Sequence, residues 1–513
     1  MSSESPPGSA SATAPAQQIA AGYAVEGQAL ELGAVVIDGK TDPTAQIRIP
    51  LATINRHGLV AGATGTGKTK TLQVIAEQLS AAGVPVLMAD VKGDLSGLSR
   101  PGQSSEKITA RAKETGDNWE PSAFPVEFLS LGTKGIGVPV RATIASFGPI
   151  LLSKVLGLNS TQESTLGLIF HWAGQKKYEL YNLADLRAVI SHLTSDEGKA
   201  DLKDLGGVSA QTAGVILRAL VNLEAEGADT FFGEPELDPK DLRRLDDKGR
   251  GIISLLELGD QAARPVLFST FLMWVLSNLF SNLKEVGDVD KPELVFFFDE
   301  AHLLFTEASK AFLEQVEQTV KLIRSRGVGV FFCTQLPTDV PNEVLSQLGA
   351  RVQHALRAFT PDDQKALTKT VRTYPKTDVY DLASALTSLG IGEAVVTVLS
   401  ERGAPTPVAW TTLRSPRSLM AAIGDQEISK AAEASALHAK YHDTKDSESA
   451  SEKLQAKAPA EQPAQAGKNA PEAAKKPGWF SRFVNSRGFQ TFLKALGTEI
   501  IRGMFGGGGR RRR

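Results

Sequence analysis

The segment from Gly62 to Thr69 constrains the fold of this chain more than any other feature. It reads GATGTGKT and matches the pattern G-x-x-x-x-G-K-[ST] in full. A strand-like run, Gly58 to Ala61, precedes it, and a helical pattern from Lys68 to Leu79 follows it. This order predicts a turn whose backbone amides, with the amino terminus of the helix, bind phosphate. The alternative is an ordinary glycine-rich turn, but the complete match in the correct context favours nucleotide binding.

The side chains of this loop predict what it binds. Lys68 can reach the β- and γ-phosphates of a nucleotide, and the Thr69 hydroxyl can bind Mg²⁺. No N-K-x-D element for guanine is present, so we expect ATP rather than GTP. The predicted nucleotide-binding residues are Gly62, Ala63, Thr64, Gly65, Thr66, Gly67, Lys68, Thr69 and Lys70.

A second apolar run, Leu294 to Phe298, ends in two carboxylates, Asp299 and Glu300. In an open α/β sheet, ligands bind at the carboxyl ends of the strands. We therefore expect Asp299 to hold Mg²⁺ and Glu300 to activate a water molecule as general base. Two acids at a strand end on the surface are the alternative. With a phosphate loop in the same chain, the second acid favours hydrolysis over nucleotide sensing.

Two further residues complete the predicted catalytic set of Lys68, Glu300, Gln335 and Arg351. Gln335 follows the apolar run Phe331–Cys333 and would face the γ-phosphate from a neighbouring strand. Arg351 flanks a predicted strand and would stabilise phosphoryl charge across a subunit boundary, with a structural role as the alternative.

The alternation of strands and helices predicts an α/β fold with a mostly parallel sheet covered on both faces by helices. The expected strands are Tyr23–Ile49 (a small β-element), Gly58–Ala61, Val84–Asp90, Phe124–Leu131, Ile252–Leu256, Val295–Phe298, Val328–Cys333 and Val352–Phe359, with a hairpin of Ala394–Leu399 and Pro407–Thr411. The predicted divisions are a disordered segment at 1–20, the first part of the core at 21–140, a mainly helical insertion at 141–248, the second part of the core at 249–425, a helix and low-complexity linker at 426–477, and a basic amphipathic tail at 478–513.

Composition excludes several classes of protein. One cysteine, Cys333, excludes an internal disulfide framework and a cysteine-based zinc site. The net charge of −2 gives no argument for a nucleic-acid partner. The beginning of the chain lacks the pattern of a signal peptide, and the apolar run Pro265–Phe280 is too short and too interrupted to span a bilayer. We therefore expect a cytoplasmic protein.

The basic tail has three open interpretations. It carries eight basic residues against one acid, Glu499, and ends in four arginines. It could bind nucleic-acid phosphates, lie as an amphipathic helix at an anionic membrane surface, or dock on its own assembly.

The ordered motifs resemble the HerA/FtsK branch of P-loop ATPases, and most closely the bacterial HerA-like proteins of the YjgR group. The resemblance runs from about Ile47 to Thr412. Its carriers are IRIPLATINRHGLVAGATGTGKTKT, PVLMADVKGDLSGL, ELVFFFDEAHLLF, RSRGVGVFFCTQLPTDVP and GARVQHALRAFTPDDQKAL. His302 also makes the string DEAH, but the motifs of DEAH helicases do not follow it.

The resemblance implies a RecA-like core, a homo-oligomeric and commonly hexameric ring, and ATP hydrolysis at subunit boundaries. It implies Lys68 and Thr69 for phosphate and Mg²⁺, Asp299 and Glu300 as the acidic pair, Gln335 as sensor, and Arg351 in the region of an intersubunit arginine. The family's best-known members move double-stranded DNA, which predicts a DNA translocase or helicase-like ATPase.

The sequence also departs from this pattern, because only about 40 structured residues precede the phosphate loop, where HerA carries a sizeable β-barrel. HerA's nuclease partnership is therefore not expected to transfer. An ATPase that remodels proteins, or one associated with a membrane, is the alternative function, and a protein partner remains open.

Overall fold

The computed structural model of the chain describes residues 13–133, 135–202, 206–259, 265–287, 289–305 and 310–457. The strands are β1 (Ala29–Ile37), β2 (Lys40–Pro50), β3 (Gly58–Ala61), β4 (Val86–Asp90), β5 (Val126–Leu131), β6 (Val138–Val140), β7 (Ile253–Glu257), β8 (Leu294–Phe298), β9 (Val328–Thr334), β10 (Ala350–Gln353), β11 (Glu393–Thr397) and β12 (Ala409–Leu413). The helices are α1 (Thr13–Ala21), α2 (Lys68–Ala81), α3 (Glu106–Thr115), α4 (Ile144–Val155), α5 (Ser160–Lys176), α6 (Leu183–Thr194), α7 (Asp196–Asp201), α8 (Ala210–Ala225), α9 (Pro265–Asn282), α10 (His302–Phe305), α11 (Lys310–Ile323), α12 (Asn342–Leu345), α13 (Pro361–Val371), α14 (Leu382–Ser388), α15 (Asp425–Glu433), α16 (His438–Tyr441) and α17 (Ala450–Lys457).

These strands form one 12-stranded sheet in the order β2-β1-β12-β11-β10-β3-β9-β8-β4-β7-β5-β6. From β10 to β6 each neighbouring pair is parallel, and from β2 to β10 each pair is antiparallel. The predicted fold class, a mostly parallel sheet with helices on both faces, is confirmed. The small β-element is the hairpin β1–β2, which joins this same sheet through β12.

The apolar strands are continuous because both faces of the sheet are buried. In β8, Val295 and Phe297 belong to one hydrophobic cluster, together with residues of α2. Phe296 and Phe298 belong to the other cluster, together with residues of α4–α6, α8, α9 and α11. The helices between 144 and 225 therefore cover one face of the sheet, opposite α2.

The structure corrects three sequence predictions. Residues 13–20 were expected to be disordered but lie in α1, because Ala16 and Ile19 are buried against the hairpin β1–β2. The strand expected over 352–359 ends at Gln353, beyond which the chain pairs with the phosphate loop through Ala355. Part of the predicted linker forms α16 and α17, since Tyr441 and Ala450 are buried. Residues 458–477 of the linker and the tail at 478–513 lie outside the described residues.

Candidate active site

The loop from Gly62 to Gly67 joins β3 to α2 at the carboxyl edge of the parallel strands. Gly62, Gly65 and Gly67 have φ values of +151°, +80° and +111°, a region that favours glycine. A β-carbon on Gly62 would lie 2.5 Å from Cβ of His354. The close approach and the left-handed angles explain why glycine is needed here.

The loop is held from both sides by the strands next to β3. Gly62 N donates to Thr334 O at the end of β9 (3.2 Å), and Ala63 N donates to Ala355 O beyond β10 (2.8 Å). Lys68 is buried and its Nζ donates to Ala63 O across the loop (3.2 Å). The His354 ring contacts the first turn of α2, where its Nε2 is hydrogen-bonded to Thr71 Oγ1 at 2.9 Å.

Asp299 lies directly after β8 and is buried. Its Oδ1 accepts from Glu300 N (2.9 Å), whereas Oδ2 is buried and has no hydrogen-bond partner among the described residues. Burial, followed by the neighbouring Glu300 carboxylate, raises the pKa of Asp299. A bound cation would relieve both effects, so this orphaned oxygen fits a Mg²⁺ ligand.

The remaining ligands would have to come from elsewhere. Within the ranges the structure describes, no group of three or more His, Cys, Asp or Glu could hold a metal by itself. Beside one or two carboxylates, Mg²⁺ in nucleotide sites is typically held by substrate phosphates and water.

Glu300 has a left-handed backbone, with φ of +50°, and is buried. Its carboxylate lies between two basic side chains. Oε1 contacts Lys92 Nζ at 2.5 Å, and Oε2 lies 3.4 Å from His302 Nδ1. The bond to Glu300 is the main reason that the pKa of Lys92 is raised. His302, whose DEAH string the sequence analysis did not assign to the DEAH helicases, contacts the predicted general base.

Sequence reasoning did not foresee that Lys92 would contact Glu300. Lys92 follows β4, which neighbours β8, so the carboxyl ends of both strands meet at one edge. Asp90 positions the intervening loop, since its carboxylate accepts from the amides of Lys92, Gly93 and Leu95 at 2.7–3.1 Å. In the sequence, Lys92 is only a polar residue that follows a buried strand, and that pattern does not identify its contact partner.

Gln335 follows β9 and is exposed, at the strand end that carries the Thr334 carbonyl bound by Gly62. The neighbouring Thr334 Oγ1 donates to Asp339 Oδ2 at 2.6 Å, and Leu336 N donates to the same oxygen at 2.9 Å. These bonds define the path of the backbone on either side of Gln335, whose own side chain is exposed.

Arg351 lies away from the phosphate loop of its own chain. It pairs in register with Leu59, three residues before Gly62, which is roughly 10 Å along the strand. Its guanidinium donates to Thr373 O (3.1 Å) and to Leu345 O (3.4 Å). It lines a cavity of about 660 Å³, and three further cations line this cavity: Arg56, Lys321 and Arg324.

A phosphate loop between β3 and α2, an acidic pair after β8 and a polar end of β9 define a RecA-like P-loop ATPase. The fold agrees with this class. The structure of the unbound bacterial conjugative coupling protein TrwB is similar with a TM-score of 0.50 at 15% identity, over 79% of this chain and 94% of that one. TrwB in complex with the ATP analogue ADPNP gives a TM-score of 0.50 at 16% identity, over 79% and 95%.

The chain belongs to the helicase HerA-like C-terminal family, whose model matches residues 36–486. The sequence resemblance is thereby confirmed. The chain is 21% identical to the DNA double-strand break repair helicase HerA of Saccharolobus solfataricus over 73% of this chain and 67% of that protein. It is also 21% identical to the HerA of Sulfolobus acidocaldarius, over 68% of this chain and 64% of the relative's length. Among the helices of the described ranges, none is long and apolar enough to cross a membrane.

Proposed function

We propose that this chain hydrolyses ATP as part of a homo-oligomeric, hexameric ring and uses the energy to translocate or unwind DNA. One observation carries the enzymatic part of this proposal. The phosphate loop is hydrogen-bonded to the end of β9, and Ala301 N, next to the acidic pair, donates to Cys333 O of the same strand at 2.7 Å. The loop proposed to bind phosphate and the segment that carries the proposed general base are thus both hydrogen-bonded to the end of β9. The names of the HerA relatives support DNA as the substrate.

In this proposal the loop amides and Lys68 hold the β- and γ-phosphates. Thr69 and Asp299 would ligate Mg²⁺, which when bound neutralises charge on the phosphates. Glu300 accepts the proton of the attacking water, and Gln335 orients that water from the neighbouring strand. The TrwB complex with ADPNP supports ATP as the ligand of such a fold. We also retain the proposal of a cytoplasmic location.

Arg351 would act on the neighbouring subunit. The cavity that it shares with Arg56, Lys321 and Arg324 has four cations in its wall and no acid. It is at the amino edge of β3 and β10, opposite the phosphate loop. A head-to-tail ring, with one subunit's amino edge facing the next subunit's carboxyl edge, would bring this positive cavity to a triphosphate.

The decisive experiment measures the ATPase rate with and without double-stranded DNA, together with the assembled mass by light scattering. We expect a ring whose turnover is stimulated by DNA and whose DNA binding weakens with salt. Lys68→Ala should abolish tight nucleotide binding. Glu300→Gln should retain binding and lose turnover. Normal turnover in Glu300→Gln would refute its role as general base.

The intersubunit role of Arg351 has its own test. Arg351→Ala and Lys68→Ala are each expected to be inactive alone. Mixed rings contain boundaries where an intact loop meets an intact Arg351, so mixing the two variants should restore part of the activity. If the mixture stays inactive while mixed rings form, Arg351 does not act in trans.

The alternative function, protein remodelling or action at a membrane, is distinguished by the same assay. If peptides or lipid vesicles stimulate ATP turnover and DNA does not, then a protein or a membrane replaces DNA as the proposed substrate. ATP hydrolysis itself would stand in either case.

A further inference from the structure

The turn Gly390–Gly392, just before β11, lies against the phosphate loop. Gly392 N donates to Thr66 O at 3.1 Å. A β-carbon on Gly67 would lie 3.3 Å from the same nitrogen. The turn therefore borders the part of the loop that leads into α2, where a bound nucleotide would be held.

This turn is firmly held. The Arg111 guanidinium, from α3, donates to Ile391 O (3.2 Å) and to Gly392 O (3.3 Å). Gly390 N donates to Glu393 Oε2 (2.8 Å), and the same carboxylate oxygen accepts from Trp410 Nε1 (3.0 Å). All three carbonyls of the turn and the amides of Gly390 and Gly392 are hydrogen-bonded, so the turn is a firm support for the side chain of Ile391.

The side chain on this support is apolar and lies in solvent. Ile391 is 76% exposed. A single exposed apolar residue is ordinary on a protein surface. Ile391, however, is held beside the phosphate loop on a turn that the Arg111 guanidinium fixes. This position suits contact with a ligand that has an apolar face.

The strand order gives the direction in which a bound nucleotide must extend. The γ-phosphate has to face Asp299 and Glu300, which follow β8, on the β9 side of the loop. The nucleoside end must then leave the loop on the opposite side, toward β10 and β11. The turn Gly390–Gly392 precedes β11 and lies on that side.

We infer that Ile391 packs against one face of the nucleotide's base and that Arg111 acts as a positioning residue by holding the turn. This inference rests on the proposed function and deepens it by naming a base subsite. The affinity gained from an apolar contact increases with the apolar area that it buries. The subsite should therefore bind a purine base more tightly than the smaller pyrimidine ring. It makes no hydrogen bond to the base edge and therefore does not separate ATP from GTP.

The test compares a nucleotide with a base-free competitor. The assay measures KM and kcat for ATP in the wild type and in Ile391→Ala, and the inhibition constant of inorganic tripolyphosphate in both. We expect KM for ATP to rise about tenfold, the gain that burial of one large apolar side chain typically provides. The inhibition constant of tripolyphosphate, which lacks a base, should stay unchanged, and Ile391→Leu should restore the KM.

Ile150→Ala is the matched control, because Ile150 is a 63% exposed isoleucine on α4 and the proposed site does not include it. It should leave all three constants unchanged. An unchanged KM in Ile391→Ala, or an equal loss for ATP and tripolyphosphate, would overturn the base contact. A wild-type chain that does not hydrolyse ATP would instead refute the proposed function, so the two failures are distinguishable.

Discussion

Replacing Glu257 with glutamine should stabilise the protein, and the gain should grow with pH. Glu257 is the last residue of β7, and it is buried in register with Asp90 of β4. Its Oε1 has no hydrogen-bond partner among the described residues. Burial, and next the charge of Asp90, raise the pKa of Glu257 from 4.5 to about 8. The fold therefore favours the neutral acid and is destabilised when this group ionises.

The magnitude follows from the linkage between protonation and folding. Because the pKa of Glu257 is higher in the folded than in the unfolded chain, the neutral carboxyl stabilises the fold relative to the ionised one. This contribution to the free energy of unfolding is fully present below the unfolded pKa of 4.5 and is lost as the pH rises through about 8. At about 1.4 kcal/mol per pKa unit, the loss has a ceiling of about 5 kcal/mol above pH 8 and is about 1 kcal/mol near pH 5. Relaxation around the carboxylate lowers both values, so we expect a difference of at least about 2 kcal/mol between the two conditions.

The assay is urea unfolding of wild type and Glu257→Gln near pH 5 and near pH 8.5, since the double difference cancels the titration of other groups. Glu127→Gln is the matched control. Glu127 is also buried, on the adjacent strand β5, but its Oε2 lies 2.6 Å from Arg244 Nη2. This variant should destabilise by about 1–3 kcal/mol because it removes the carboxylate from the ion pair with Arg244. A gain in Glu257→Gln that does not depend on pH, or no gain near pH 8.5, would refute the argument.

Three further predictions concern the site and its support. Lys92→Met should lower kcat by roughly tenfold or more, because it removes the cation that holds the Glu300 carboxylate in place; Lys92→Arg, which keeps a cation there, should retain most of the wild-type kcat. Burial lowers the pKa of His57 and of His354 to about 4. The free energy of unfolding should therefore fall as the pH drops from 6.5 toward 4, because the unfolded chain binds these protons first. In His57→Gln, the urea midpoint should fall less steeply over the same pH range. Gly62→Ala should weaken the affinity for ATP by more than about tenfold, because the new β-carbon would collide with Cβ of His354. The circular dichroism spectrum should not change, and a normal affinity for ATP would contradict this geometry.

The sheet and the chemical motifs were predictable because each is a local pattern. Buried parallel strands need continuous apolar runs, and β3, β4, β5, β7, β8 and β9 were all located from such runs. The phosphate loop was evident from glycine spacing, and Asp299 and Glu300 from two acids after an apolar strand. The end of β10 and helix α1 were missed because contacts with distant segments decide them.

The sequence by itself determined the kinds of groups at the site, since backbone conformation and strand burial depend on neighbouring residues. Only the tertiary structure decided which of these groups meet. Lys92 contacts Glu300 across 208 positions of chain, and Arg351 lies at the opposite edge of the sheet from Lys68. The turn that carries Ile391 meets the phosphate loop through Gly392, next to the pairing of β10 with β11. Strand order sets these contacts, and it depends on how the whole apolar surface is buried, which no single motif encodes.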